Sequence, residues 1–339
     1  IVTGYGVTHH ESAKFKLHSG MRIRGGAMPL AYTQNTEEYN KFAANRFLPA
    51  LNEPLSTFSI DVDNAAYSNV RRFINQGTFP PVDAIRTEEF LNYFTYNYPA
   101  PQEKDPVSIT TEVSNAPWNT QHKLVHIGIK AKEVSTDNLP ASNLVFLIDV
   151  SGSMSDANKL PLLKSSLKLL VKQLRPQDRV AIVTYANHTK EVLASTPGSD
   201  KAKILDAIDG LYASGGTAGG DGIQRAYRVA ESNFTKGGNN RIILATDGDF
   251  NIGISSPREL EKMIETKRTS GIYLTVLGFG MGNYKDNRMQ VLAEKGNGNH
   301  AYIDNLTEAK KVLVNEFGGT LFTVAKDVKI QVEFLSLIH

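Results

Sequence analysis

Between residues 142 and 320, short apolar runs alternate with amphipathic segments, and this alternation constrains the fold more than any other feature of the chain. The runs 144–150 (LVFLIDV), 179–186 (RVAIVTYA), 241–247 (RIILATD) and 272–279 (IYLTVLGF) show little polar alternation, as expected of parallel strands covered on both faces. Between and after them, residues 158–174, 200–211, 220–234, 257–270, 287–295 and 307–317 carry apolar residues at helical spacing. The more polar ANHTKEVLAST predicts a hairpin to an antiparallel edge strand at 189–195. These elements imply a doubly wound α/β domain over 142–322, with a mostly parallel, Rossmann-like sheet and helices on both faces.

The flanking regions have a different pattern. Residues 1–50 mix glycine, polar and basic residues without a sustained period and read as a linker or partly disordered segment, with a short helix at 37–48. Residues 51–141 read as an α+β extension. PLSTFSIDVD suits a strand, and AAYSNVRRFINQG suits a helix with Ala66, Val70, Phe73 and Ile74 inward. RTEEFLNYFTYNYP suits a second helix with Phe90, Leu91 and Phe94 inward, and Val107–Val113 and Lys123–Lys132 are expected strands. In 323–339, AKDVKIQVEF returns to strict alternation, and a lone strand needs a partner. The nearest β material is 107–132, so the α/β domain is expected to be inserted into a smaller β-rich domain that is truncated at residue 339.

Composition removes several function classes. The 339 residues carry a net charge of +2 without a long basic block, which disfavours nucleic-acid binding. Every apolar run is far shorter than the ~20 residues that span a bilayer, so no transmembrane segment is expected. With no cysteine, disulfides and thiolate metal sites are excluded. No G-x-S-x-G elbow occurs, and GGTAGGDG lacks the lysine of a phosphate-binding loop. A non-enzymatic role is therefore expected.

In open α/β sheets, ligands bind outside the carboxyl ends of the strands. The first run of the alternating region ends there in FLIDVSGSMSD (146–156), bringing Asp149, Ser151 and Ser153 to that edge. The glycine-rich loop ASGGTAGGDG (213–222) adds Thr217, and LATDGDFN (244–251) adds Asp247. Five oxygen-bearing side chains from three loops suit a hard divalent ion, Mg²⁺ or alternatively Mn²⁺ or Ca²⁺. The two carboxylates match the ion's charge. Met154, Tyr212, Gly216 and Asp249 would border the site, although an Asx turn is the simpler role for Asp249. Helix capping would explain a lone D-x-S-x-S, but not Thr217 and Asp247 in register with it. Asp221 is expected to cap the helix near Gly222. A second acidic motif, DVDNAAY (61–67), resembles the first motif of haloacid-dehalogenase-type phosphatases at Asp61 and Asp63. A turn, or capping by Asp63 or Asn64, is the simpler reading there.

D-x-S-x-S ending a strand, a threonine in a GGT loop and T-D-G after a later strand together resemble the metal-ion-dependent adhesion site of von Willebrand factor type A domains. Residues 142–320 are similar to that domain's element order throughout. The resemblance implies that Ser151, Ser153 and Thr217 are direct or water-mediated ligands, while Asp149 and Asp247 hold waters and serine hydroxyls. LSTFSIDVDNAAYSNVRRFI, RTEEFLNYFTYNYP and NAPWNTQHKLVHIGIKAKE are similar to a bacterial family of such proteins with a dedicated N-terminal extension. Members often carry envelope-targeting signals and continue into a C-terminal domain of unknown function; LSLIH departs from that continuation. The implied function is adhesion or protein binding in the bacterial cell envelope (periplasm, or a surface lipoprotein), through a protein ligand that supplies a carboxylate. A metal-dependent hydrolase, at this site or at Asp61/Asp63, and a scaffold with a vestigial metal site are the alternatives. Partner identity and oligomeric state stay open.

Overall fold

Six strands form the central sheet in the order β6-β5-β4-β7-β8-β9. In chain order these are β4 (Ser142–Asp149), β5 (Arg179–Tyr185), β6 (Lys190–Pro197), β7 (Asn239–Thr246), β8 (Ile272–Phe279) and β9 (His300–Ile303). All neighbours pair in parallel except β5 and β6, whose antiparallel pairing is that of the expected edge hairpin. The computed structural model describes residues 35–41, 45–60, 62–102, 104–132, 139–216, 221–248, 257–315 and 328–334.

Every residue of β4 is buried, and its period of two divides the core. Leu144, Phe146 and Ile148 pack in one apolar cluster, Val145 and Leu147 in another. Within the first cluster lie the inward residues of α3 (Leu160–Gln173) and α4 (Lys201–Asp209), together with Ala309 of α8 (Leu306–Lys310) and Leu313 from the π-helical turn that follows it. The second is covered by α5 (Gly222–Ser232), α6 (Pro257–Thr269) and α7 (Asp286–Lys295). Helix α3 shows the sequence logic plainly: Leu160, Leu163, Leu167, Leu170 and Val171 are buried, and Pro161 stands in its first turn, where a missing N–H costs nothing. Burying each such side chain contributes roughly 1.5–3 kcal/mol. The fold is therefore the doubly wound α/β sheet expected.

The extension comprises β1 (Leu55–Ser59), α1 (Ala65–Asn75), α2 (Thr87–Asn92), β2 (Val107–Ala116) and β3 (Asn119–Ala131). Helix α1 covers the open edge of the sheet, where unpaired strand groups would otherwise be exposed. Ser68 Oγ donates to the carbonyl of Tyr302 in β9 (2.8 Å), and the His300 amide donates to Asp63 Oδ1 (2.9 Å). Arg71 reaches both Asp304 and Glu308, and Arg86 joins Glu89 to Asp286. Glu89 Oε2 also accepts the Ala66 amide at 2.8 Å. The N-terminus of α1 is thus held from a distance by Glu89, and Asn64, at the N-cap position, makes no side-chain capping bond. Asp63 serves the seam with β9, and Asp61 lies outside the described residues.

Several local expectations change. Residues 35–41 lie extended against the loop before α7, with Thr36 N donating to Gly282 O (2.7 Å) and Glu38 N to Tyr284 O (3.0 Å). Over residues 37–41 tertiary pairing overrides the expected helix, because Glu37 is drawn into a buried ion pair with Arg72; residues 42–44 lie outside the described residues. Helix α2 stops at Asn92, leaving Leu91 and Phe94 substantially exposed, while Ile74 of α1 also faces outward. Strand β9 was not anticipated, since four residues between GNGN and an Asx cap are too few to show a period. Finally β10 (Lys329–Glu333) pairs antiparallel with β1, from Leu55↔Glu333 to Ser59↔Lys329, and not with 107–132. Strands β2 and β3 pair with each other as a hairpin.

Candidate metal-ion site

Asp149 closes β4 with its side chain fully buried at the carboxyl edge of the sheet. Its Oδ1 accepts the Ser151 amide (2.8 Å), an Asx turn that swings the chain out of the strand, and its Oδ2 accepts the Thr246 hydroxyl (3.2 Å). Thr246 ends the neighbouring strand β7, so Asp149 and Asp247 emerge side by side from adjacent strands. Burial pushes the Asp149 carboxyl up to about 6, and the Asp247 charge adds to the rise against hydrogen bonds from Ser151 and Tyr185. The Tyr185 phenol, wholly buried beside it, is likewise raised by burial and by the Asp149 charge.

Ser151 is almost wholly buried and Ser153 partly so, and their hydroxyl oxygens lie 3.1 Å apart. The glycine-rich loop is brought to them by backbone bonds: Gly152 N donates to Gly215 O and Ser214 N to Val150 O, both at 2.8 Å. Asn187, in the turn between β5 and β6, completes that anchorage. Its Oδ1 accepts the Gly216 amide (2.8 Å), and a Cβ on Gly215, where φ is +76°, would come within 2.6 Å of its Nδ2. Thr217 and Asp249 lie outside the described residues. The structure therefore brings Asp149, Ser151, Ser153 and Asp247 to one edge of the sheet and leads the 213–216 loop to the same place.

The donor chemistry fits a hard divalent ion. Asp247 is fully buried, yet its Oδ1 has no hydrogen-bond partner among the described residues. A buried carboxylate oxygen without a partner is costly, whereas a cation or its water would satisfy it. Among the described residues no three His, Cys, Asp or Glu side chains gather as a metal cluster. An ion here would therefore depend on serine hydroxyls and water as well as the two carboxylates.

Two of the expected rim and cap roles are corrected. Met154 is fully buried in the cluster that α3 and α4 cover, so it supports the loop from beneath and presents nothing to a partner. Asp221 precedes α5, but its side chain makes no capping bond. Tyr212 is 74% exposed and Gly216 is exposed, so both remain accessible.

One residue of the site escaped sequence reasoning. Lys159, just before α3, is only 4% exposed, and its Nζ lies 2.9 Å from Asp247 Oδ2. Lys164, Lys168 and Lys172 of the same segment suit the solvated face of an amphipathic helix, and nothing in the local sequence distinguishes Lys159 from them. Its partner comes from another strand, 88 residues away. The charge balance of the site is consequently not the simple match of two carboxylates to one ion.

A model described as the von Willebrand factor type A domain matches residues 143–315, just over half of the chain. The chain belongs to the von Willebrand factor type A domain family. A second model, described as von Willebrand factor, matches residues 33–126. Type A domains often mediate protein–protein interaction and often bind a divalent metal. The chain is similar to "Uncharacterized protein YfbK" of Escherichia coli (strain K12), 50% identical over 306 residues that cover 88% of this chain and 53% of that protein. It thus spans about half the length of this curated relative. Among solved structures it is similar to the conserved hypothetical protein BatB from Bacteroides thetaiotaomicron, with 21% identity, a TM-score of 0.45 and coverage of 53% of this chain and 98% of that one. It is also similar to proximal thread matrix protein 1 from the mussel byssus, with a zinc-occupied MIDAS motif, at 22% identity and a TM-score of 0.44, covering 58% of this chain and 48% of that one.

Proposed function

We propose that the loop edge of the type A domain is a metal-dependent protein-binding site that takes an acidic side chain from a partner at a bacterial cell envelope. The observation that carries this reading is the fully buried Asp247 Oδ1, without a partner among the described residues, on the strand next to Asp149 and its Ser151–Ser153 turn. A bound Mg²⁺ or Mn²⁺ would act as a Lewis acid with a coordination place open to a carboxylate. Ser151, Ser153 and Thr217 would supply neutral oxygens, and Asp149 and Asp247 would hold the ion's waters. Binding is a better account than catalysis, because none of the contacts described above for Asp149, Ser151, Ser153 or Asp247 is to a histidine that could act as a base. His300, in β9, is buried with its Nε2 2.9 Å from the Tyr284 phenol oxygen.

The test is titration of the protein with Mn²⁺ by calorimetry, followed by water-proton relaxation of the loaded protein as a glutamate-containing peptide is added. Uptake of one ion, lost in Ser151→Ala and Asp247→Asn, with inner water displaced by the peptide but not by its glutamine analogue, is the expected result. No uptake at millimolar Mn²⁺, or unchanged uptake in both variants, would refute the reading.

A further inference from the structure

We infer that Lys159 is a built-in counter-charge of the ion site, a specificity-determining residue that weakens metal binding and makes the loaded site select an anionic partner. This rests on the ion-site reading above. The lysine is not a surface residue that happens to reach inward. Its Nζ is 2.9 Å from Asp247 Oδ2 and 3.4 Å from Asn283 Oδ1, while the carboxylate of largely exposed Asp156 lies at 3.8 Å. Its aliphatic stem runs across Gly280, where φ is +74° and an added Cβ would stand 2.3 Å from the lysine Cε and 2.6 Å from its Cγ. Only glycine tolerates both that backbone conformation and that approach.

The socket is held both from within the type A domain and from the segment that precedes it. Tyr302 donates its hydroxyl to the Gly280 carbonyl. Gly282 N donates to Glu37 Oε1 (2.8 Å), and Gly282 O accepts the Thr36 amide (2.7 Å). Residues 36–38, ahead of the extension, therefore grip the 280–284 loop that cradles the lysine. Asp247 is left with one oxygen on the ammonium and the other without a partner among the described residues.

The electrostatic consequence follows directly. Two carboxylates and one ammonium give the site a single negative charge before a divalent ion enters and a single positive charge afterwards. A site of two carboxylates alone would be neutral once loaded. The ammonium repels the incoming ion, which lowers affinity, and it leaves the loaded site attractive to a carboxylate. Both effects act over short distances in a region of low accessibility, where screening is weak.

The experiment compares wild type with Lys159→Gln, Lys159→Met and Lys159→Arg. Mn²⁺ binding is read by calorimetry, acetate binding to the Mn²⁺-loaded protein by water-proton relaxation, and folding by thermal melts in EDTA. Lys159→Gln and Lys159→Met should bind Mn²⁺ at least about tenfold more tightly and acetate more weakly, whereas Lys159→Arg should keep both wild-type affinities. Should Lys159→Met fail to fold, Lys159→Gln, which retains a donor to Asp247, decides the matter. Equal Mn²⁺ affinity in wild type and Lys159→Gln would overturn the inference and leave the ion site standing. If no variant and no wild-type protein takes up Mn²⁺, the ion-site reading itself fails and the inference falls with it.

Discussion

Replacing Asp149 by asparagine should make the ion-free protein more stable at neutral pH while removing its response to metal. The carboxyl is fully buried and pushed up to about 6, against an ordinary value of 3.8. Its folded-state pKa is raised, so the native protein holds a proton that the unfolded chain has released. Stability therefore falls as pH rises from about 4 through about 6 and stays lower above that. At ~1.4 kcal/mol per pH unit, ionising Asp149 inside the fold costs roughly 3 kcal/mol. Asparagine is nearly the same shape and never ionises. Its carbonyl can accept the Ser151 amide and its amide can donate to the Thr246 hydroxyl, so those two bonds survive, while the bonds from the Ser151 and Tyr185 hydroxyls are weakened. Allowing for imperfect geometry at two bonds, the gain should be about 1–3 kcal/mol above pH ~7 and near zero below pH ~4. Urea unfolding in EDTA at the two extremes measures it through the midpoint at constant slope. Adding Mn²⁺ should reverse the ranking, because only the wild type gains binding energy. A variant less stable than wild type at neutral pH in EDTA would show that the hydrogen bonds outweigh burial. An equal gain at both pH extremes would show that ionisation is not its source.

Glu37→Gln should destabilise the fold by about 3 kcal/mol, the low end for breaking a buried pair, since Arg72 keeps Asn69 Oδ1 as an acceptor at 2.8 Å. Burial works to raise the Glu37 carboxyl, but the hydrogen bond and charge of Arg72 outweigh it and hold it below its ordinary 4.5. Its contribution is thus present above that value and lost as pH falls through the lower folded one, so the variant's urea midpoint should decline less than wild type's below about pH 4.5. Gly248→Ala should cost about 3 kcal/mol or more, because φ is +117° and the new Cβ would stand 2.3 Å from Asn283 O and 2.7 Å from Lys285 N. A thermal melt in EDTA within 2 °C of wild type, about the shift expected from under ~1 kcal/mol in a domain this size, would show that this loop relaxes freely.

Five of the six strands of the central sheet, all but β9, were legible in the sequence. Strands such as 144–150 are buried on both faces, and helices such as 158–174 are buried on one, so local composition already states each element's environment. Also legible was the meeting of Asp149 and Asp247 at the carboxyl edge, because strand direction in a parallel sheet puts both at the same end. Residues whose role comes from a distant partner were not legible. Lys159 belongs to Asp247 and Gly280, Glu37 to Arg72 and Gly282, Glu89 to the start of α1, and β10 to β1. Met154 carries an apolar side chain beside a functional turn, and only its packing shows that it faces the core. Periodicity records how a segment is buried but not what it is buried against; that pairing depends on contacts between segments far apart in the chain, which exist only once the chain is folded.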